Sequence, residues 1–404
     1  MAVALLATRL LAAHEAEHVD SIVIVGNQRT RDETVLELLP RRPPTRLSEA
    51  ELGEFRRRLD NLAIFDAVTL ERRGRTLRVG VREKWTLIPS LEFASGSSIE
   101  DTYALLGVTD FSFLGTGNQL MVAAARAQRG YFATIEYREH VFRRTRWALD
   151  AALSGGRQVL RFDDGSEWAT ASAGLAIGAS SPPWPFQSGN YHVGAYYQVD
   201  RVTPLSGEVR APDAHGFGSN VTFSWNGYQW ADLVPRGAFA GLTAGAGIFT
   251  GETVPQARHL LQLELQGALP LAKHRVLMSR MQAGLTTRGN ANFSQELGSI
   301  MGVRGLRDTF YRNWAQAFCN VELRRALPLA ERWALQLVLF GDTALFEQID
   351  ARGQRGAASS ALSAGGGIRL VPTWLASSVL RVDGSYLFTQ QTGAFLQLGL
   401  NQYF

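Results

Sequence analysis

The chain has 404 residues, with 41 basic and 37 acidic side chains mixed along it for a net charge of +4, a balance that leaves no nucleic-acid footprint. Hydrophobic residues make up 46% of it and mean hydropathy is -0.07. Beyond the first few residues no apolar run reaches the ~18 that a membrane helix needs, so a helical membrane protein is excluded. A β-barrel is not, because its strands alternate lipid-facing and lumen-facing residues and average to bland hydropathy.

The N-terminus, Met1 to Ala13, is Ala/Leu-rich like the core of a secretory signal, although Arg9 interrupts it and no basic stretch precedes it. Residues 1–19 read as a signal-like segment and linker. From Asp20 to about Lys84 the pattern is that of a small α+β unit in the order β-α-α-β-β. Ser21–Val25 is a β-rich run ended by the turn signal Gly26-Asn27. Thr30–Leu39 suits a short helix with acids at its start, broken by Pro43-Pro44. Ser48 opens a second helix, with Glu51 completing a capping box and Leu52, Phe55, Leu59 and Leu62 at helical spacing. Ala67–Glu71 and Thr76–Val81 form two strands joined through Arg73-Gly74.

From Trp85 to Phe404 helical periodicity disappears, and about sixteen strand-sized alternating segments follow, a plausible spacing for a transmembrane barrel. In Trp333–Leu339 the odd positions are uniformly apolar, and the last segment sets Leu396, Leu398, Leu400 and Phe404 against Gln397, Gly399, Asn401 and Tyr403. Leu263–Ala272 and Val321–Ala330 echo one another as strands entering short Pro-containing turns, whereas Asp350–Ser363 has the composition of a long loop. Short turns at one end and long loops at the other are therefore expected. Gly365-Gly366-Gly367 fits strands in close approach, and Trp184, Trp333, Trp374 and Tyr403 suit interfacial anchoring. With Leu335, Leu337 and Leu339 facing lipid, Asp342 must face the lumen; with Val321 and Leu323 outward, so must Glu322.

Enzyme signatures are weak. His14-Glu15-Ala16-Glu17-His18 is a literal H-E-x-x-H, but it follows the signal-like segment with no helical domain around it, and reads as a polar linker. The other histidines are scattered, and no G-x-S-x-G elbow, phosphate loop or cysteine pair appears; Cys319 is the single cysteine. No catalytic activity, metal or cofactor is expected.

Three groups of residues together resemble the BamA-like superfamily of outer-membrane assembly and translocation proteins. Val25-Gly26-Asn27 with Arg29-Thr30, Leu62–Val68 and Val79–Glu83 resemble a POTRA domain. Gly302-Val303-Arg304-Gly305, between two predicted strands, resembles the family's lumenal loop motif, and Phe340-Gly341-Asp342-Thr343-Ala344 resembles a family strand motif. Gly107–Gly117 looks like the family's early hairpin; Gln402 departs from it, standing where the insertion signal usually has an apolar residue. The resemblance implies that the loop folds from the cell surface into the lumen, where Arg304 contacts Asp342 and Glu322. A guanidinium suits this, since its planar fork can bond two carboxylates and stays charged, as Lys could not.

The implied fold is an all-β transmembrane barrel of about sixteen antiparallel strands in the bacterial outer membrane, preceded by one periplasmic POTRA domain. The implied partners are outer-membrane lipids, unfolded outer-membrane or secreted protein clients, and accessory periplasmic proteins or lipoproteins. The leading functional expectation is a non-enzymatic assembly factor. Its first barrel strand, near Trp85 to Phe93, pairs imperfectly with the last, Ala394 to Phe404, so that the seam carrying Gly399 and Phe404 templates an incoming strand. The rivals are a secretion pore of the two-partner type, whose relatives usually carry two periplasmic domains and a plug helix, and a passive barrel or surface antigen.

Overall fold

The structure is a computed structural model that describes residues 17–400 except 63, 96–101, 128–129, 141–146, 162–165, 182–188, 207–212, 232–233, 252–255, 288–293, 300–301, 307–310, 331–332, 350–354, 373–378 and 390–391. Of the features singled out above, the signal-like segment with His14, Glu15 and Ala16, Ala63 of the Leu62–Val68 stretch, Trp184, Trp374, Asn401, Gln402, Tyr403 and Phe404 lie outside the described residues.

The N-terminal domain contains β1 (Glu17–Val19), β2 (Ser21–Val25), α1 (Asp32–Leu36), β3 (Thr45–Leu47), α2 (Glu49–Asn61), β4 (Phe65–Arg73) and β5 (Thr76–Glu83). Its main sheet has the order β2-β5-β4, with β2 parallel to β5 and β4 antiparallel to it. The expected β-α-α-β-β order holds and is compatible with a POTRA domain. It gains a two-stranded sheet, because the linker residues of β1 pair with β3. The capping box forms: the Ser48 hydroxyl accepts from the Glu51 amide at 3.3 Å, and the Glu51 carboxylate accepts from the Ser48 amide at 2.9 Å. Phe55 and Leu59 of α2 then drop into a core with Val35, Leu47, Ile64, Leu77 and Val79. The first helix is shorter than expected. Arg31 caps it without a side-chain bond, and Pro40 disfavours helix at Leu39, so Leu38 and Leu39 enter the core from a turn.

The barrel opens with β6 (Leu87–Ser95), β7 (Tyr103–Phe113), β8 (Asn118–Ala127), β9 (Gly130–Glu139), β10 (Ala148–Arg161), β11 (Glu167–Ser180), β12 (Gly189–Ser206) and β13 (Ala214–Asn226). It continues through β14 (Gln229–Ala231), β15 (Val234–Gly251), β16 (Gln256–Ala272), β17 (Arg275–Thr286), β18 (Gln295–Leu297) and β19 (Tyr311–Ala330). The last four strands are β20 (Trp333–Ile349), β21 (Arg355–Pro372), β22 (Leu380–Leu387) and β23 (Gly393–Gly399). The three-residue strands β14 and β18 are accessory, since β13 pairs directly with β15 and β17 with β19; the closed barrel has sixteen antiparallel strands.

Alternation sorts its two faces as expected. In β20, Leu337, Leu339 and Leu345 are exposed on the outside, while Gln336, Val338, Phe340 and Asp342 are buried inside. Trp333 begins this strand. Three expectations are corrected. Asp350–Ser363 is not a loop throughout: Arg355–Ser363 is strand, because its small Ala, Ser and Gly residues fit between β20 and β22. Pro270 and Pro328 are not in turns but lie within β16 and β19, each two residues from the strand end and next to a register shift, so the sequence echo marks two equivalent hairpins. The connections between described strands are of similar length at both ends, apart from residues 287–310, which lie at the end opposite the N-terminal domain.

The N-terminal domain is docked on the barrel. Phe111 of β7 packs against its core. In the β7–β8 turn the Gly115 carbonyl accepts from the Arg31 amide at 2.9 Å and from the Thr34 hydroxyl at 3.0 Å. Gly115 has φ +75°, a conformation that favours glycine. The Glu83 carboxylate accepts from the Thr30 and Arg29 amides at 2.7 and 3.1 Å, and the Arg29 guanidinium lies 5.2 Å from the centre of the Trp85 ring.

Candidate functional site

Between β17 and β19 the chain turns back into the lumen and places Val303 and Leu306 in a buried apolar cluster with Leu297, Phe318, Phe346 and Leu387. A tight turn forms, with the Leu306 amide donating to the Val303 carbonyl, and the Asn320 side chain donates to the Gly302 carbonyl at 2.7 Å. Gly305 has φ +95°, a conformation that favours glycine, and a β-carbon there would crowd the Phe395 ring at 3.0 Å.

This turn delivers Arg304, fully buried, to the inner wall. Asp342 accepts from the Arg304 amide at 3.1 Å, from Nε at 2.7 Å and from Nη2 at 2.7 Å, while Nη1 donates to Glu322 at 2.8 Å. One face of the guanidinium covers Phe340, with Cζ 3.4 Å from the ring centre. The structure therefore brings together Arg304, Asp342, Glu322 and Phe340. Gly341 stands apart: a β-carbon there would meet nothing closer than 3.9 Å, so packing does not explain that glycine.

The cluster extends beyond the residues read from the sequence. Glu322 also accepts from Arg369 at 2.7 Å and from Nε of Arg324 at 2.6 Å, so three guanidinium groups surround one carboxylate. Asp383 lies 3.7 Å from Arg304 and 3.3 Å from Arg381, and Arg381 pairs in turn with Glu92. Four arginines (304, 324, 369, 381) thus meet four acids (Glu92, Glu322, Asp342, Asp383), the balance that a buried charge network needs, because an uncompensated ion would carry its full desolvation cost. The missed members stood on alternating segments too: Arg381 and Asp383 flank outward Val382, and Arg369 lies between Ile368 and Leu370.

The network reaches the closure of the barrel. Among the described residues β23 and β6 pair through Leu396–Ser95, Gln397–Ala94, Leu398–Phe93 and Gly399–Glu92, and the Leu400 amide donates to the Leu91 carbonyl at 2.8 Å. Arg381 of β22 is opposite Gly399 of β23, which is opposite Glu92 of β6. The Arg381–Glu92 ion pair therefore passes over β23. Gly399 makes this possible, since a β-carbon there would lie 2.8 Å from Nε of Arg381. Gln397, also on β23, bonds the Ser299 hydroxyl, which accepts from the Gly305 amide at 3.3 Å, so the lumenal loop touches the closing strand. His18, the end of the H-E-x-x-H run, lies on β1 rather than on a helix and pairs with Asp20 at 2.8 Å.

The sixteen-stranded barrel with its small N-terminal domain is a fold shared with solved outer-membrane barrels. BamA from Haemophilus ducreyi lacking POTRA domains 1-3 superposes with a TM-score of 0.59 at 15% identity, over 95% of this chain and 84% of that one. CdiB from Escherichia coli gives 0.67 at 10% identity, over 95% and 76%, and CdiB from Acinetobacter baumannii gives 0.62 at 12%, over 95% and 74%. No family model matches the sequence, and no curated protein matches it.

Proposed function

We propose that this chain is an outer-membrane β-barrel that assembles other barrels, taking client strands at the seam between β23 and β6, with its N-terminal domain in the periplasm. The apolar outer face and the likeness to BamA and CdiB support the outer-membrane setting. The observation that carries assembly is the closure itself, where β6 and β23, the first and last barrel strands, meet beside the Arg381–Glu92 pair and the lumenal loop. Backbone donors and acceptors freed by parting that closure would be an unpaired sheet edge, which pairs readily with an incoming extended segment. The partners are unfolded outer-membrane proteins and the surrounding lipids, and the chemistry is strand pairing, with no catalytic residue.

The test is reconstitution in liposomes with a seam lock. Leu398 and Phe93 are cross-strand partners, at a separation suited to a disulfide. In a Cys319→Ala background, Leu398→Cys with Phe93→Cys should abolish acceleration of test-barrel folding when oxidised and restore it when reduced. Equal acceleration in both states would overturn the seam reading. A locked protein that still passes an unfolded chain across the bilayer would instead make the barrel a secretion pore.

A further inference from the structure

The outward face of the barrel carries a charged feature that neither the lumenal network nor the seam uses. Following the register around the wall, Arg126 of β8 is opposite Tyr131 of β9, Tyr131 is opposite Arg157 of β10, Arg157 is opposite Ala171 of β11, and Ala171 is opposite Arg201 of β12. Directly paired residues share a face, and Tyr131 is 63% exposed on the outside, so the whole row points outward. Below it the outward positions are apolar: Val122, Ile135, Leu153, Leu175, Val193 and Tyr197 are all exposed. The row lies toward the end opposite the N-terminal domain, where the β8–β9 hairpin turns.

Its position coincides with an edge of hydrocarbon. From Tyr191 to Arg201 on β12 the chain rises about 33 Å along the strand, or roughly 23 Å once tilted by about 45°, close to the ~25 Å apolar band of such barrels. An outward arginine costs about 2–4 kcal/mol at the bilayer midplane and about 0–1 at the interface. Arg201 therefore stands at headgroup depth, and because the row runs perpendicular to strands tilted by about 45°, Arg157 and Arg126 stand roughly 7 and 14 Å from it in height, with Tyr131 between them as an interfacial aromatic. Arg126, Arg157 and Arg201 have no ion-pair partner among the described residues. The outward carboxylate Glu167 lies further toward the strand ends, whereas Asp213, just before Ala214 and so across from Arg201, accepts from the Val202 amide at 2.6 Å.

We infer that this row is a docking site for phosphate-bearing headgroups of the lipid leaflet at that end of the barrel, an inference that rests on the bilayer setting proposed above. Guanidinium forks bind phosphate oxygens bidentately. With strands ~4.8 Å apart, Arg126 and Arg157 stand about 10 Å from each other along the sheet, as do Arg157 and Arg201. The small Ala171 leaves a notch between the second pair, and the Tyr131 hydroxyl adds a donor between the first. A lipid carrying more than one phosphate fits this spacing better than a single zwitterionic headgroup, whose own cation would meet the arginines.

The test uses the full chain in phosphatidylcholine vesicles with and without a bis-phosphorylated glucosamine-disaccharide lipid, extracted into mild detergent and weighed by native mass spectrometry. Retention of the phosphorylated lipid but not of phosphatidylcholine is expected. Arg126→Gln/Arg157→Gln/Arg201→Gln should lower that retention by about tenfold or more, as loss of charge-assisted bonds implies, while its heat-modifiable gel shift shows a folded barrel. Arg42→Gln/Arg46→Gln, which alters exposed arginines of the N-terminal domain, should leave retention unchanged. Equal retention by the triple variant, equal loss in this control, or displacement by millimolar inorganic phosphate would each overturn the inference. Wild-type protein that fails to float with vesicles would overturn the bilayer reading itself.

Discussion

Arg304 and Asp342, 38 residues apart, are joined by three hydrogen bonds, one from the arginine's own backbone amide and two from its guanidinium. Because the backbone takes part, the pair fixes the loop as well as the side chain. Removing the guanidinium leaves Asp342 and part of Glu322 uncompensated in a buried setting, which costs about 3–5 kcal/mol. Arg304→Ala should unfold at clearly lower urea concentration than the wild type. Arg304→Lys should fall between them, since the ammonium keeps the charge but cannot fork across two carboxylates. An Arg304→Ala barrel with an unchanged urea midpoint would mean that the apolar packing of Val303 and Leu306 holds the loop alone.

Gly399→Val tests the crossing of β23. Its side chain would occupy the path of Arg381, displacing the Arg381–Glu92 pair while leaving the backbone ladder free to form. Faster hydrogen exchange at the amides of 396–399 is expected, with little change in β20. If Arg381→Ala alone speeds exchange to the same extent and the double variant adds nothing further, the two residues act through one contact.

The docking turn gives a third prediction. Gly115→Ala places a β-carbon against the Arg29 carbonyl at a φ of +75°. Protease cleavage between the N-terminal domain and the barrel should accelerate several-fold, with the barrel's own heat-modifiable gel shift unchanged. Equal cleavage rates would show that Phe111 packing suffices.

Glu83 makes the domain's stability depend on pH. Burial pushes its carboxyl upward, but the amides of Thr30 and Arg29 and the Arg29 charge outweigh it, leaving the group below the usual glutamate range. A folded pKa below the unfolded value of about 4.3 contributes stability that is full above pH ~4.3 and lost as pH falls through the folded value. Glu83→Gln should therefore destabilise the N-terminal domain by about 1.5–3 kcal/mol near neutrality. The difference from wild type should shrink below pH ~4; thermal unfolding at pH 7 and pH 3 measures it. A constant difference across that range would assign the effect to packing.

Period-two alternation alone is enough to turn Asp342 and Glu322 inward, and the capping box at Ser48 and Glu51 is legible from spacing alone. Applied to Leu380–Asp383 or Ile368–Leu370, the same rule would have turned Arg381, Asp383 and Arg369 inward too. It could not have said which of these charges meet. That depends on the stagger between neighbouring strands, a property of the closed wall that no single segment encodes. The β1–β3 pairing was hidden for a related reason, since strands of three residues carry too little pattern to register at a distance. Arg355–Ser363 misled because small polar residues serve a loop and a tightly paired strand equally well.

The clip at Gly115 means that the N-terminal domain holds the barrel at two points, through the chain entering β6 and through the β7–β8 turn one hairpin away. A single tether would let the domain swivel freely. Two neighbouring tethers convert any tug on the domain into torque on β6 and β7, so a client pulling from below would load the very strand whose other edge closes the barrel against β23.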